Sequence, residues 1–115
     1  MKISFIILVF VGLISMNSFS QKIVWNTKAE LPNKYLSGSA ITCQEKIYYI
    51  VGQIDNSSGK PSASNLIYEY NLARDEWIKK PNMPTARWNF ATASIEGKIY
   101  VIGGSTGNYT YTNVN

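Results

Sequence analysis

An arginine and a tryptophan stand side by side at Arg87 and Trp88, and their chemistry suits recognition of a ligand. A guanidinium offers a planar set of donors that matches a carboxylate, and an indole offers a flat stacking surface. The two residues are therefore candidate contacts for a ligand or partner. Alternatively, Arg87 braces its loop and Trp88 packs there, because a similar stretch earlier in the chain holds Tyr35 and Leu36 instead.

A second group of candidate contacts follows near the end of the sequence, at Asn108, Tyr109 and Tyr111. Tyrosine presents a large contact area at low entropic cost. A solvated loop without a special role is the alternative. Asn56 and Asn108 also begin glycan acceptor patterns, which matter only in a eukaryotic secretory pathway.

Residue content argues against several classes of chemistry. The 115 residues contain no histidine and a single cysteine, Cys43, which leaves no intramolecular disulfide, His-based metal site or Ser/His/Asp set. The carboxylates fall in predicted turns or on a strand face, where charge is simply solvated. The net charge of +4 forms no basic stripe. We therefore predict no catalytic, metal-binding or cofactor-binding residue, and no nucleic-acid partner.

The elements that position Arg87 and Trp88 lie in residues 83–104. Glu96-Gly97 suits a two-residue hairpin turn, because glycine adopts positive φ at no steric cost. Residues 99–102 form a β-branched and aromatic run, which favours a strand covered on both faces. Gly103-Gly104 then ends the strand where another backbone must come close or the chain must turn.

The same stretch is an internal repeat of residues 31–52 at a constant offset of 52. A period of about 50 residues is typical of repeat architectures. The matched pairs are Trp25/Trp77, Leu31/Met83, Pro32/Pro84, Lys46/Lys98, Ile47-Tyr48/Ile99-Tyr100, Ile50/Ile102 and Gly52/Gly104. One period predicts four antiparallel strands, over residues 38–43, 46–52, 65–70 and 76–79, with residues 53–64 as a long exposed loop. Such a sheet must stack on neighbouring copies.

Three features together resemble the kelch repeat across residues 22–104. They are the hydrophobic hairpin ending in Gly103-Gly104, Tyr70 and Trp77 seven residues apart, and the Met83-Pro84-x-x-Arg87 loop. The resemblance implies an all-β fold, a kelch-type β-propeller with about two four-stranded blades present. It assigns a lone fourth strand to residues 23–27, a complete blade to 38–79 and a partial blade to 90–104, and we expect a longer protein. The structural repeat positions are Trp25, Tyr48, Gly52, Tyr70, Trp77, Tyr100, Gly103 and Gly104.

Residues 1–20 have the pattern of a signal peptide preceding the propeller segment, residues 21–115. Lys2 gives a minimal positive region, residues 3–14 are apolar, and Ser18-Phe19-Ser20 forms a small-x-small cleavage site. The apolar stretch falls short of the about 20 residues that span a membrane, although an uncleaved anchor is the alternative. We expect cleavage, no stable membrane span, and a secreted or extracytoplasmic location in the periplasm or at the cell surface.

The resemblance also implies a function. We expect an exported kelch-repeat binding module that contacts a protein or a glycan through its rim loops. The alternatives are a kelch-type carbohydrate enzyme, such as a sialic-acid mutarotase or epimerase, and a structural or adhesive surface protein. Among the enzymes, a mutarotase is the stronger alternative, because it would require only convergent arginine, glutamate or aspartate side chains.

Overall fold

The computed structural model describes residues 21–107. The predicted signal peptide over residues 1–20 and the predicted contacts Asn108, Tyr109 and Tyr111 lie outside this range. The described residues form β-strands and no helix, which confirms the all-β prediction. The strands are β1 (Tyr35–Cys43), β2 (Lys46–Ile54), β3 (Ser62–Ala63), β4 (Ile67–Asn71), β5 (Glu76–Lys80), β6 (Ala91–Ile95) and β7 (Lys98–Ile102).

The first sheet is antiparallel and has the strand order β1-β2-β4-β5. Its four long strands overlap those predicted from the repeat. Strand β1 begins earlier than predicted, because register shifts between Tyr35 and Gly38 let it stay paired with β2 while it bends. The short strand β3 pairs with Gln53 and Ile54, inside the stretch that the sequence predicts to be entirely loop.

The second sheet is the hairpin of β6 and β7, which packs against β1 of the first sheet. The hydroxyl groups of Ser39 and Thr92 share a hydrogen bond of 2.8 Å between the two sheets. At the hairpin ends, a Cβ added at Gly97 would overlap the carboxamide of Gln44. The two sheets therefore contact each other along their first strands and at their turns.

Both hairpins turn through two residues with positive φ. The angles are 49° at Glu96 and 73° at Gly97, and 50° at Gln44 and 62° at Glu45. Positive φ at both central residues is the geometry that matches the twist of paired strands. The predicted Glu96-Gly97 turn is confirmed, and the first copy makes the same turn without glycine, at a steric cost.

The lone fourth strand predicted over residues 23–27 needs the other strands of its blade as partners, and the described residues do not contain them, so it stays a prediction. These residues form no strand, and Ile23, Val24 and Trp25 are 75%, 65% and 90% exposed. A strand needs a hydrogen-bonded partner, and the described residues offer none to this segment. The chain becomes fixed at Ala29, whose carbonyl oxygen accepts a hydrogen bond of 2.9 Å from Trp77 Nε1.

The core lies in the middle of the first sheet, on β2. Ile50 and Val51 are fully buried on opposite faces of this strand. Cys43 is buried as well, as predicted for a small apolar side chain. On the face toward the second hairpin, Ile50 and Ile67 line an apolar cavity of about 410 Å³ that residues 99–102 close from the other side.

Candidate functional site

The antiparallel order brings the longer connections to one end of both sheets. We call this end the loop rim; it carries residues 55–66, 81–90 and 103–107. The opposite end, the turn rim, carries the tight turns at residues 44–45, 72–75 and 96–97. Binding residues concentrate on loops that a rigid sheet scaffold positions, so a binding site is expected at the loop rim.

An open groove of about 970 Å³ crosses the loop rim. Three connections contribute to it: the one between β2 and β4, the one between the two sheets, and the one after β7. The lining residues are Gln53, Gly59, Lys60, Pro61, Ser62, Ala63, Ala86, Trp88, Thr106 and Gly107. We call this the rim groove; it joins successive repeats in the described part of the chain.

Backbone hydrogen bonds tie the three connections beneath the rim groove together. Ser64 donates to Gly52, and Arg87 donates to Ser64, each at 2.9 Å. Trp88 and Ser105 exchange two further bonds, at 2.9 and 2.8 Å. The floor of the groove is therefore a small ladder rather than a set of independent loops, and it holds the groove in one shape.

Trp88 lies in the rim groove, where the structure places one of the predicted contacts. Its indole is half-buried, and its backbone is held by the bonds to Ser105. Gly104 permits this arrangement, because a Cβ there would lie 2.6 Å from the carbonyl oxygen of Trp88, and its φ is +89°. The predicted close approach of a backbone at the glycine pair is thus present, and it positions Trp88.

Arg87 does not share the exposure of its neighbour. The residue is 5% exposed, and its Nη1 donates a hydrogen bond of 3.0 Å to the carbonyl oxygen of Gly103. A guanidinium buried in this way fixes the inter-sheet connection onto the end of β7. The geometry supports the bracing interpretation of Arg87, and Trp88 is the residue of the pair that lines the rim groove.

The repeat positions Tyr70 and Trp77 lie far from the groove, next to the turn rim. They are cross-strand neighbours with ring centroids 5.0 Å apart. The Tyr70 hydroxyl donates to Oδ1 of Asp75, which raises the pKa of Tyr70 to about 12. The same bond, with a second one from the backbone N–H of Ala29, lowers the pKa of Asp75. This cluster anchors the segment before β1.

Glu69 is the buried carboxylate of the first sheet, and its partners are structural. Its Oε1 lies 3.0 Å from Lys46 Nζ, and its Oε2 lies 3.1 Å from Lys80 Nζ. The hydrogen bond from Lys46 is the largest cause that lowers the pKa of Glu69, and it raises that of Lys46. A carboxylate held between two ammonium groups remains ionised, so it is unsuited to proton transfer near neutral pH.

The structure shows no metal-binding cluster of three or more His, Cys, Asp or Glu residues among residues 21–107. In the same range, no helix has the length and apolar character needed to cross a membrane.

Sequence reasoning missed most of the groove lining. Lys60, Pro61, Ser62 and Ala63 belong to a stretch whose composition indicates only an exposed loop. Two strand residues are too few for a periodic pattern, so no local signal marks β3. The repeat was the one sequence feature that indicated this end of the sheets. The offset of 52 places the connection after β2 and the connection after β7 at the same end.

Comparison with known proteins gives a consistent result. Residues 86–114 match the family model described as Kelch motif. The chain is 39% identical over 88 residues to Kelch repeat and BTB domain-containing protein 1 of Cowpox virus (strain Brighton Red), covering 76% of this chain and 16% of that protein. It is 30% identical over 84 residues to Kelch repeat and BTB domain-containing protein 12 of Homo sapiens, covering 70% and 14%.

A third relative is Kelch-like protein 36 of Mus musculus, with 30% identity over 90 residues that cover 78% of this chain and 15% of that protein. The chain thus spans 14–16% of the length of these curated relatives.

Proposed function

Because this chain belongs to the kelch-repeat family, we propose that it binds a partner protein through the rim groove, with Trp88 as the main contact. Kelch repeats indicate a protein-interaction module, and the two sheets are partial blades of a kelch β-propeller. The single observation that carries the proposal is the position of Trp88, half-buried in an open groove between successive repeats.

Two physical properties of the groove favour protein recognition. Tryptophan is enriched among the residues that contribute most to protein interfaces, because it buries a large area in a well-packed pocket. The ladder under Trp88 fixes its backbone before binding, so little conformational entropy is lost when a partner docks. Both properties favour contact with a protein surface or segment over loose contact with a mobile loop.

The proposal is tested with a displayed library of random peptides. Peptides are selected on the full chain alone, and the affinity of each selected peptide is then measured on the Trp88→Ala variant. We expect binders whose affinity falls at least tenfold in Trp88→Ala, because loss of a tryptophan anchor costs about 2 kcal/mol or more. The matched control is Leu72→Ala, which removes a 71% exposed apolar side chain at the turn rim and leaves affinity unchanged. Binders that respond to Leu72→Ala and not to Trp88→Ala would contradict the proposal.

We also propose that the protein is exported, on the sequence of residues 1–20. The test is mass spectrometry of the N-terminus of the protein purified from its own cells. A mature chain that begins at Gln21, recovered outside the cytoplasm, supports export. An intact N-terminus at Met1 in the cytoplasmic fraction would overturn it.

A further inference from the structure

The lining of the rim groove has a one-sided charge. Among the lining residues that the structure describes, Lys60 is the single ionisable side chain and none carries a carboxylate. Asp55 belongs to the same connection but does not line the groove. Lys60 is exposed and lines the same groove as Trp88, so its ammonium group is the charged contact that a bound segment would meet on the described groove wall.

From this arrangement we infer that the partner segment is acidic: it places a carboxylate at Lys60 and an apolar or aromatic side chain on Trp88. The inference rests on the proposed function and adds the chemistry of the partner. Charge complementarity of this kind selects among partners and speeds their encounter more than it raises affinity. The main affinity comes from Trp88, and the sign of the partner's charge is set by Lys60.

The backbone on both sides of Lys60 is restrained, which gives the main chain of this residue a defined place on the loop rim. Gly59 before it has φ +71° and donates its N–H to the carbonyl oxygen of Asn56 at 3.0 Å, which closes a turn. Pro61 after it has a fixed φ, and Ser62 and Ala63 are held in β3 against β2. The loop therefore carries Lys60 at the groove between two restrained positions.

The groove has open space at two of its lining residues, Gly59 and Gly107, which leaves room for a peptide chain. A Cβ built at Gly59 or at Gly107 would meet no atom within 4 Å. These two glycines line the same groove as Lys60 and Trp88. A peptide is favoured over a nucleic acid as the occupant, because one ammonium group neutralises one phosphate, whereas nucleic-acid affinity depends on neutralising many.

The test uses the peptides selected on the full chain. We expect them to be enriched in aspartate and glutamate, and we expect Lys60→Gln to weaken the best binder about two- to fivefold, the range of an exposed ion pair. Lys60→Glu weakens it further, and Lys60→Arg restores it. The matched control is Lys98→Gln, which removes an exposed charge at the turn rim and leaves affinity unchanged.

A double-mutant cycle identifies the contact. Replacing the acidic residue of the peptide by its amide weakens binding to the wild-type chain and has no further effect in Lys60→Gln. Rising salt slows association with the wild-type chain more than with Lys60→Gln. Binders that depend on Trp88 but show neither acidic enrichment nor any response to Lys60→Gln would overturn the inference and leave the proposed function standing. Binders indifferent to Trp88 would overturn both.

Discussion

Nη1 of Arg87 donates a hydrogen bond to the carbonyl oxygen of Gly103, across 16 positions of sequence and a distance of 3.0 Å. The bond joins the connection between the two sheets to the end of β7. Arg87 is buried, and the next residue along the chain, Trp88, lines the rim groove. The two adjacent residues therefore have different roles. Arg87 holds the connection between the sheets in place, and Trp88 lines the rim groove on that connection.

Replacing Arg87 by alanine is expected to lower the free energy of unfolding by about 1.5–3 kcal/mol, the range for a hydrogen bond to a charged group whose partner is left buried. Lysine has no planar fork, so Arg87→Lys recovers only part of the loss. Urea denaturation of the full chain followed by far-ultraviolet circular dichroism measures the effect. An unchanged midpoint in Arg87→Ala would show that the bond does not hold the loop.

Gly104 should be intolerant of any side chain. Its φ of +89° disfavours other residues, and a Cβ would lie 2.6 Å from the carbonyl oxygen of Trp88. We expect Gly104→Ala to destabilise the fold by about 2–4 kcal/mol, from backbone strain and steric overlap together. Gly59→Ala separates the two causes, because Gly59 has φ +71° but open space around it. It should cost only about 1 kcal/mol, and equal losses in both variants would rule out the overlap.

The first hairpin turn can be improved. Glu45 has a φ of 62°, a left-handed conformation that is strained for a residue with a side chain. Gly97 occupies the equivalent position of the second hairpin without this strain. Glu45→Gly should raise the free energy of unfolding by about 0.5–1 kcal/mol, the difference between relieved strain and the added freedom of the unfolded chain. Glu45→Ala, which keeps the strain, is the control. If alanine stabilises as much as glycine, the strain is not the cause.

Asp75 should make the fold sensitive to acid. Its pKa is lowered by the hydrogen bonds from Tyr70 and from the N–H of Ala29, so the folded chain favours the carboxylate. The resulting stability is complete above the ordinary pKa near 3.8 and is lost as the pH falls through the lowered value. We expect the urea midpoint of the wild-type chain to fall more between about pH 6 and pH 3 than that of Asp75→Asn. Parallel falls in both proteins would exclude this role.

The repeat made much of the fold predictable. The Glu96-Gly97 turn predicted the hairpin of β6 and β7, and the glycine pair predicted the close approach at Gly104, because each depends on local residue types. The strand over residues 23–27 follows from the match of Trp25 with Trp77 and stays a prediction, since a strand exists only where a partner does. Repeat phase alone cannot supply that partner within residues 21–107.

The candidate site was predictable only in part. Trp88 was identified from its residue type and its place in a connection, and its neighbour Arg87 was resolved as a brace only by its burial and its bond to Gly103. Lys60 carried no signal, because a lysine in a polar loop is ordinarily solvated. Lys60 becomes a candidate contact only because it lines the groove that the three connections form together. That groove exists only in the folded chain, so the sequence does not show it.

The most direct test of the central claim uses the three tryptophans of the chain. Each indole N–H gives one signal in a nitrogen–proton correlation spectrum, and the three environments differ: Trp25 is exposed, Trp77 donates to Ala29, and Trp88 lies in the rim groove. Titration with a selected peptide should shift the Trp88 signal and leave the signals of Trp25 and Trp77 in place. A shift of Trp25 or Trp77 with an unmoved Trp88 signal would contradict the rim groove as the binding surface.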